Sequence, residues 1–207
     1  MTGAPMRTLL LAILVGYGIG SIPFALILAR RFRGIDLRRS GSGNVGAANA
    51  FRTTGILLGV GALALDLGKG AATVLLVERL SAGTGATMPT AAGLAAVTGH
   101  VYPVWLRFQG GKGVATACGV FAVLAPLATL CAGALFLVVT WWTRYVSIGS
   151  VVGTIALGPI AYGTDAPIEV VGGAACAAAL VLTRHRANLL RVWAGAERRI
   201  GRGPSTQ

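Results

Sequence analysis

The chain has 207 residues, of which 55% are hydrophobic and only 12% are charged. A water-soluble domain carries about a quarter of its residues as Asp, Glu, Lys and Arg, so this composition excludes a globular protein surrounded by water. The formal net charge is nevertheless +12, from 18 Lys and Arg against 6 Asp and Glu. In so apolar a chain we expect the basic groups to face a membrane surface and not nucleic acid. The cysteines offer neither a disulfide framework nor a CxxC metal site, since they are odd in number and all lie in apolar stretches: Cys118, Cys131 and Cys176.

Uncharged apolar runs predict the membrane-spanning helices. The first run, 8–29, is long enough to cross a hydrocarbon core of about 30 Å as a helix. A cleaved signal peptide is the alternative, but the run lacks a convincing small-residue cleavage site and ends in the basic cluster 30–33, as a stop-transfer segment does. Further apolar runs follow at 55–77, 89–106, 114–142, 147–163 and 167–183.

The run 114–142 is too long for one comfortable span and contains Pro126. If it forms two helices that turn at Ala125 and Pro126, four segments share one face of the membrane and hold 15 of the 18 Lys and Arg residues: 30–54, 107–112, 143–146 and 184–207. A single helix would place the C-terminal arginines on the opposite face, against the positive-inside rule. We therefore predict an all-α integral membrane protein of about seven transmembrane helices, some of them short, in one domain over 1–207. We expect the N-terminus outside and a short basic tail, 184–207, in the cytoplasm.

The polar segment 40–49, here called the first glycine segment, follows the first predicted span. Glycine lets the backbone turn several N–H groups toward one point, as in anion-binding nests. Ser and Asn add neutral donors, and an arginine fork matches phosphate oxygens. A flexible Gly/Ser loop with a positive-inside arginine is the alternative. The candidate phosphate ligands in and just after this segment are Ser42, Gly43, Asn44, Gly46, Asn49 and Arg52.

The second glycine segment consists of Gly110, Gly111, Lys112 and Gly113. It is not a Walker A motif, which has Ser or Thr directly after the lysine and a further glycine upstream, so no ATP site is inferred. A lysine between glycines just before a helix suits a phosphate monoester, and a lysine that snorkels at a helix end is the alternative. His100 has no second metal-ligating side chain at suitable spacing, so we expect it to pack or to hydrogen-bond, and we expect no metal or cofactor.

A third polar group comes from two places in the chain. Ser147 and Ser150 follow Arg144, and His185 and Asn188 stand three residues apart, so a continuing helix would put the latter two on one face. Farther on, Glu197 is the only acid among the C-terminal arginines, which favours a structural ion pair.

Asp66 and Lys69 stand three residues apart within the second apolar run. An ionisable pair at membrane depth is a functional candidate by default. Mutual neutralisation that allows the helices to pack is the alternative.

Together and in this order, these groups resemble the bacterial acyl-phosphate:glycerol-3-phosphate acyltransferases. The resemblance covers nearly the whole chain and rests on three motifs in matching order, with a further likeness at Asp66, Lys69 and Gly70. It is carried by the stretches 41–52, 99–116, 147–150 and 185–188, with Glu197 beyond them.

The resemblance implies transfer of a fatty acyl group from acyl phosphate to the sn-1 hydroxyl of glycerol-3-phosphate. The products would be 1-acyl-glycerol-3-phosphate (lysophosphatidic acid) and phosphate, in the first step of phospholipid synthesis. No cofactor is implied, and neither acyl-CoA nor acyl carrier protein is the donor. The resemblance further implies an active site made by glycine-rich cytoplasmic loops, a place in the bacterial inner membrane, and a functional link to an enzyme that produces acyl phosphate.

The same resemblance assigns roles to single residues. In the first glycine segment and beyond it, Ser42, Asn44 and Arg52 would bind phosphate. Lys112 and its flanking glycines would bind glycerol-3-phosphate, and the residues that would join this site from the third group are Ser150, His185 and Asn188, with Glu197 structural. Two positions depart from the family pattern, since Ala48 replaces a common threonine and Gln109 a common lysine. Both departures bear on the strength of phosphate binding and not on the class of reaction.

The residues fit direct acyl transfer without a covalent acyl-enzyme. An acyl phosphate has a good leaving group, so the protein need only hold two phosphates, align the hydroxyl and stabilise the developing oxyanion. No Ser/His/Asp set is evident, and the proton could leave through the substrate phosphate or through His185.

Three other classes of function remain open. A small transporter of phosphate or an organophosphate would also use glycine-rich loops and intramembrane charge, although no internal repeat is found. A CDP-alcohol phosphotransferase would need clustered aspartates, and Asp36 and Asp66 stand far apart in the chain. The last class is a structural membrane subunit.

Overall fold

The computed structural model describes residues 3–81 and 85–201, and all the longer regular elements in these ranges are α-helices. In chain order they are α1 (Gly3–Gly20), α2 (Phe24–Arg33), α3 (Ala47–Thr54), α4 (Ile56–Leu80), α5 (Thr87–Val101), α6 (Val114–Leu124), α7 (Pro126–Thr143), α8 (Val146–Gly163) and α9 (Ile168–Trp193). Short 3₁₀ turns lie at Leu37–Arg39 and Val104–Leu106. The chain divides into two compact units, Met1–Leu124 and Ala125–Gln207.

The helices confirm the predicted all-α integral membrane fold. Five stretches of helix in the described ranges are long and apolar enough to cross a membrane: Met6–Arg33, Ile56–Leu80, Pro126–Thr143, Val146–Gly163 and Ile168–Trp193. Two shorter helices accompany them, α5 with 15 residues and the apolar α6 with 11. The predicted count of about seven therefore corresponds to five long spans and two short helices.

The single helix predicted over 8–29 is wrong in one respect, because the chain breaks between α1 and α2. The break contains Ser21, Ile22 and Pro23. Proline lacks a backbone N–H and disfavours the helical conformation of the residue before it. The helix therefore restarts at Phe24 in a new register, and α2 ends at Gly34 in the left-handed conformation (φ 65°).

The turn predicted at Ala125 and Pro126 is present. Helix α6 ends at Leu124, and Pro126 is the first residue of α7. At that position proline's missing N–H costs nothing, because the first N–H groups of a helix have no intrahelical acceptor. The run 114–142 thus forms two helices.

Helix α9 is longer than the predicted span 167–183, and residues 184–193 are helical. The first part of the predicted basic tail 184–207 is therefore helical, as the one-face placement of His185 and Asn188 requires. Apolar side chains continue among the arginines of this stretch, and the helix stops just before Gly195, whose φ of 70° is left-handed.

Glycine allows close contact between helices within the first unit. A side chain at Gly20 of α1 would overlap the backbone of Ala96 in α5, and one at Gly119 of α6 would overlap the carbonyl of Leu67 in α4. Small residues at such contacts are typical of membrane helix packing. These contacts hold α5 against α1 and α6 against α4, and the second glycine segment lies between α5 and α6 in the chain.

Candidate active site

The first glycine segment is folded around the side chain of Asn49, which is only 1% exposed. Its amide nitrogen donates to the carbonyl oxygens of Leu37 (3.2 Å), Ser40 (2.9 Å) and Asn44 (2.9 Å). Its amide oxygen accepts the backbone N–H of Ser42 at 2.9 Å. Asn49 therefore shapes the segment from inside, and its predicted role as a phosphate ligand stays a prediction.

Two glycines allow the turn that surrounds Asn49. Gly41 and Gly43 have φ values of 65° and 73°, in the left-handed region that favours glycine. Ser42 between them is exposed. The segment thus has the irregular, glycine-dependent backbone that the sequence predicts.

Arg52 lies on a helix, just beyond the first glycine segment. The loop ends at Gly46, and helix α3 carries Arg52 in its last turn, where the side chain is exposed. The eight residues between Gly46 and Gly55 contain no glycine and form this helix. Its short length keeps Arg52 within about two helical turns of the first glycine segment.

The second glycine segment runs directly into helix α6, as predicted. Gly113 has a φ of 88°, and α6 begins at the next residue. On the other side, the N–H of Gly110 donates to the carbonyl of Val101 and the N–H of Gly111 to that of His100, both at 3.0 Å. Lys112 is held half-buried between this fixed backbone and the helix.

Asn44 brings the two glycine segments together at one end of the first unit. Its amide oxygen accepts the N–H of Gly46 at 2.9 Å, and its amide nitrogen lies 3.4 Å from the carbonyl oxygen of Gly110. A side chain at Gly46 would also come within 3.9 Å of the Cα atom of Gly111. Residues that are more than sixty positions apart in the chain therefore form one glycine-lined surface.

In the second unit, Ser150 and His185 are both buried. Ser150 lies near the start of α8, and His185 and Asn188 stand three residues apart on α9, as the helical reading requires. The Nδ1 atom of His185 lies 2.8 Å from the carbonyl oxygen of Val181. Since a carbonyl only accepts, Nδ1 carries the proton, and a neutral ring then has its lone pair on Nε2.

Glu197 forms the ion pair that its isolation among arginines predicts. Its Oε2 atom accepts from Arg191 Nε at 2.7 Å. Its Oε1 atom accepts from Asn188 Nδ2 at 2.5 Å and from the hydroxyl of Ser147 at 3.3 Å. Glu197 thus fixes one side chain of the third polar group, Asn188.

The C-terminal segment 194–201 contacts the connection between α7 and α8 at residues 144 and 145, and the sequence did not predict this contact. The N–H of Ile200 donates to the carbonyl of Arg144 at 2.8 Å, and Arg199 Nε donates to the hydroxyl of Tyr145 at 2.8 Å. The guanidinium also lies 5.1 Å from the Tyr145 ring centroid. The sequence offers one indication of this contact, because an aromatic residue, Tyr145, directly follows Arg144 at the end of a predicted helix.

Asp66 and Lys69 form the predicted pair, with Lys69 Nζ 2.9 Å from Asp66 Oδ1. The structure adds His100, whose Nδ1 atom lies 3.5 Å from the same oxygen. All three side chains are buried. His100 is thus a polar partner within the helices, as expected, and belongs to an ionic cluster that the sequence did not indicate.

A separate ionic cluster lies between α2 and the 3₁₀ turn Leu37–Arg39. Asp36 accepts hydrogen bonds from Arg30 Nη2 and from Arg38 Nη2, each at 2.7 Å, and caps the turn by accepting the backbone N–H of Arg38. The hydrogen bonds from Arg38 and then Arg30 hold the pKa of the Asp36 carboxyl well below its usual range. The same contact raises the pKa of Arg38. Within the described ranges, no group of three or more His, Cys, Asp and Glu side chains could hold a metal ion.

Apolar helices with glycine-rich segments at their ends define an integral membrane protein whose exposed polar chemistry is concentrated outside the long spans. The chain belongs to the glycerol-3-phosphate acyltransferase family, since the family model of that description matches residues 10–195. This confirms the family resemblance drawn from the sequence.

Relatives of known name match over nearly their whole length. A glycerol-3-phosphate acyltransferase of Myxococcus xanthus is 48% identical over 91% of this chain and 97% of its own. One of Syntrophotalea carbinolica is 42% identical over 94% and 99%.

The fold is likewise similar to crystal structures of PlsY (YgiH), an integral membrane glycerol 3-phosphate acyltransferase. Its glycerol 3-phosphate form is 39% identical with a TM-score of 0.88, covering 93% of this chain and 96% of that one. Its lysophosphatidic acid form has a TM-score of 0.86 at 38% identity, covering 93% and 95%.

Proposed function

We propose that this chain transfers a fatty acyl group from acyl phosphate to the sn-1 hydroxyl of glycerol-3-phosphate. The oxygen of the hydroxyl bonds to the acyl carbon, the bond from that carbon to the phosphate oxygen breaks, and lysophosphatidic acid and inorganic phosphate leave. The observation that carries the proposal is the meeting of two glycine-rich segments at Asn44 and Gly110, in a chain of the glycerol-3-phosphate acyltransferase family.

The proposed chemistry needs binding and orientation more than a protein nucleophile. Both substrates carry a phosphate, and the acyl phosphate already has a good leaving group. Backbone N–H groups in glycine segments and a basic side chain near them stabilise such anions. The residues proposed to contact the two phosphates are Ser42, Gly43, Asn44, Gly46, Arg52, Lys112 and Gly113. Asn49, Gly110 and Gly111 are proposed to serve the site by holding the backbone of the two segments through their own hydrogen bonds.

We assign Ser150, His185 and Asn188 to the reacting end of the substrates, and we propose no covalent acyl-enzyme. In a Ser/His/Asp triad a carboxylate accepts from Nδ1 of the histidine, whereas here Nδ1 lies against the carbonyl oxygen of Val181. The hydroxyl proton leaves either to Nε2 of His185 or to a substrate phosphate. Full activity of His185→Ala would assign the proton to the phosphate.

The test is an assay of the purified protein with acyl phosphate and radiolabelled glycerol-3-phosphate, without metal or CoA. We expect lysophosphatidic acid, and no product when acyl-CoA or acyl carrier protein replaces the acyl phosphate. Acyl-serine trapped in denatured protein would contradict direct transfer.

Matched variants connect this activity to the glycine segments. Lys112→Gln and Arg52→Gln each remove one cation, and we expect either change to lower kcat/KM by about a hundredfold, since charge-assisted phosphate contacts contribute about 1.5–3 kcal/mol. Arg31→Gln is the control, because Arg31 is also exposed in the last turn of a short helix but lies outside both segments. An equal effect of all three variants would argue against a specific phosphate site.

The same purified protein, placed in proteoliposomes, shows whether the chain is an acyltransferase or a transporter. In proteoliposomes without acyl phosphate, a transporter accumulates labelled glycerol-3-phosphate or phosphate, and the proposed enzyme does not. Product formation without uptake supports the proposal, whereas uptake without product contradicts it. The proposed site faces the cytoplasm across the bacterial inner membrane, where an enzyme that makes acyl phosphate would supply the donor.

A further inference from the structure

The buried ionic cluster of the first unit joins the middle of α4 to the end of α5 and to the break between α1 and α2. Asp66 and Lys69 lie one turn apart on α4, and His100 lies in the last turn of α5. The side chains of Asp66 and Lys69 are each 2% exposed and that of His100 is 6% exposed. Removing charges from water is expensive, so a buried ion pair is weak grounds for stability by itself. The ion pair alone therefore does not account for the cluster, whose members also contact neighbouring segments of the chain.

Lys69 connects the cluster to the break between α1 and α2. Its Nζ atom donates to the carbonyl oxygen of Ile22 at 2.8 Å and lies 5.6 Å from the ring centroid of Phe24. The ammonium group thus contacts one residue before Pro23 and one residue after it. Its third neighbour is Asp66 on α4. Asp66 is thereby fixed, and its Oδ1 atom faces both Lys69 and His100.

The other side of the His100 ring lies against the second glycine segment. A Cβ atom built on Gly111 would overlap Nε2 of His100 and two of its ring carbons. A Cβ atom on Gly110 would overlap the backbone carbonyl of His100 and the ring of Pro103. These two glycines are therefore required by packing against His100 and its neighbours, in addition to any role in anion binding.

The backbone of α5 holds the same segment. The carbonyl groups of Val101 and His100 accept the N–H groups of Gly110 and Gly111, each at 3.0 Å. Ring contact and backbone hydrogen bonds thus act together on two consecutive residues. Lys112 is the next residue in the chain, so its Cα position depends on where these two glycines lie.

We propose that His100, held by Asp66 and Lys69, is a positioning residue that sets the second glycine segment for the phosphate of glycerol-3-phosphate. His100 acts through Gly110 and Gly111 on Lys112 and does not touch the reacting atoms. The proposal rests on the proposed function for the identity of the phosphate ligand. The placement of the segment by His100 is a property of the fold and can be measured without substrate.

The test without substrate is hydrogen exchange of the backbone amides of 110–112 in the full-length protein. In His100→Phe, which keeps a ring but loses both nitrogens, we expect exchange of these amides to rise about tenfold or more, as loss of roughly 1.4 kcal/mol of local stability would produce. Amides in α1 and α8 should keep their protection. Unchanged exchange at 110–112 in folded His100→Phe would overturn the proposal.

The test with substrate is a double-mutant cycle between positions 100 and 111. Gly111→Ala should raise the KM for glycerol-3-phosphate about tenfold with little change in kcat, because its methyl group displaces the ring or the segment. His100→Ala removes the overlapping ring, so the KM of the double variant should be well below the product of the two single effects. Multiplicative effects would overturn the proposal. Gly68→Ala is the matched control, since nothing lies within 4 Å of a Cβ atom there.

The two tests distinguish failure of the proposed function from failure of the positioning role of His100. If the wild type makes no lysophosphatidic acid, the proposed function is wrong, and hydrogen exchange still decides the role of His100. If the wild type is active but neither exchange at 110–112 nor the KM cycle depends on His100, the positioning role is wrong and the proposed function stands. Should His100→Phe fail to fold, His100→Asn keeps a donor toward Asp66 and loses only the contact with Gly111.

Discussion

A single side chain, Asn49, decides the shape of the first glycine segment. It donates to three carbonyl groups and accepts one N–H group, all within residues 37–44. Loop backbone that is buried without such partners is unfavourable, because each unpaired group loses its contact with water. A flexible Gly/Ser linker has no need of this arrangement. The segment is therefore a defined structure whose exposed parts, such as Ser42, are held in place by a buried residue.

Replacing Asn49 tests this arrangement. Asn49→Ala leaves several carbonyl groups without their donor, and we expect a loss of about 1–3 kcal/mol in the free energy of unfolding. We also expect a higher KM for the phosphate substrates, because the backbone around Ser42 and Asn44 is released. Thr183→Ala is the control, since it removes an exposed hydroxyl group from α9, outside both glycine segments. Equal thermal unfolding and equal KM for both variants would contradict the role given to Asn49.

Residue identity was easier to predict than residue role. Glycine, asparagine and lysine in one pattern point to phosphate, but the pattern does not say which amide faces the ligand and which faces its own backbone. Asn44 bridges to Gly110, and Asn49 is enclosed. Nor does sequence spacing bring His100 beside Gly111, since that contact depends on how α5 ends. Such distinctions arise from tertiary contacts, which local sequence does not contain.

At the scale of the helix, three prolines have three different outcomes. Pro23 separates α1 from α2, Pro126 begins α7, and Pro159 lies within α8, which continues to Gly163. Hydropathy alone gave one span for 8–29, because the residues around Pro23 are apolar. The turn at Pro126 was predictable because the charge distribution required an additional crossing. Composition thus locates spans, whereas their interruptions need a second, independent signal.

The connection between α2 and the following 3₁₀ turn should depend on pH in the acid range. Hydrogen bonds from Arg38 and Arg30 lower the pKa of Asp36 in the folded protein, so the carboxylate contributes stability at neutral pH. That contribution is lost when the pH falls below the unfolded pKa of about 4 and through the lower folded pKa. We expect Asp36→Asn to be less stable than the wild type by a constant margin from pH 8 to about 5, and the margin to shrink in more acid solution.

Thermal unfolding over a pH series measures this margin. Asp165→Asn, which removes an exposed carboxylate elsewhere in the chain, is the control for the change in net charge. If the stability difference between the wild type and Asp36→Asn grew as the pH fell, the Asp36 carboxylate would not stabilise this connection.

The C-terminal end of the second unit depends on Glu197. Its carboxylate accepts from Arg191, Asn188 and Ser147, and so connects α8, α9 and the segment after α9. Glu197→Gln keeps the shape but removes the charge, and we expect a loss of about 1–3 kcal/mol because charge-assisted hydrogen bonds are weakened. Glu78→Gln, at an exposed position in the last turn of α4, should be nearly neutral. If both variants unfold at the same temperature, the carboxylate of Glu197 has no structural role.

At the scale of the whole molecule, each unit gathers its polar segments at one end. In the first unit the two glycine segments meet at Asn44 and Gly110. In the second unit the α7–α8 connection meets the C-terminal segment at Arg144 and Ile200. These are the same pairs of segments that the positive-inside rule assigns to one face of the membrane. Charge distribution and folding within each unit thus agree, although they are independent observations.

The sidedness of these ends follows from the number of crossings between them. Four helices, α6 to α9, lie between Gln109 and Arg198. If each of the four crosses the membrane, the two residues share the cytoplasmic side. Single-cysteine variants at both positions, in a chain without its three native cysteines, should then react with an impermeant maleimide only after the cells are permeabilised. Glu78→Cys and Glu169→Cys should react in intact cells. Opposite accessibility of positions 109 and 198 would mean an odd number of crossings, so that α6 and α7 together cross once and the seven-span count is wrong.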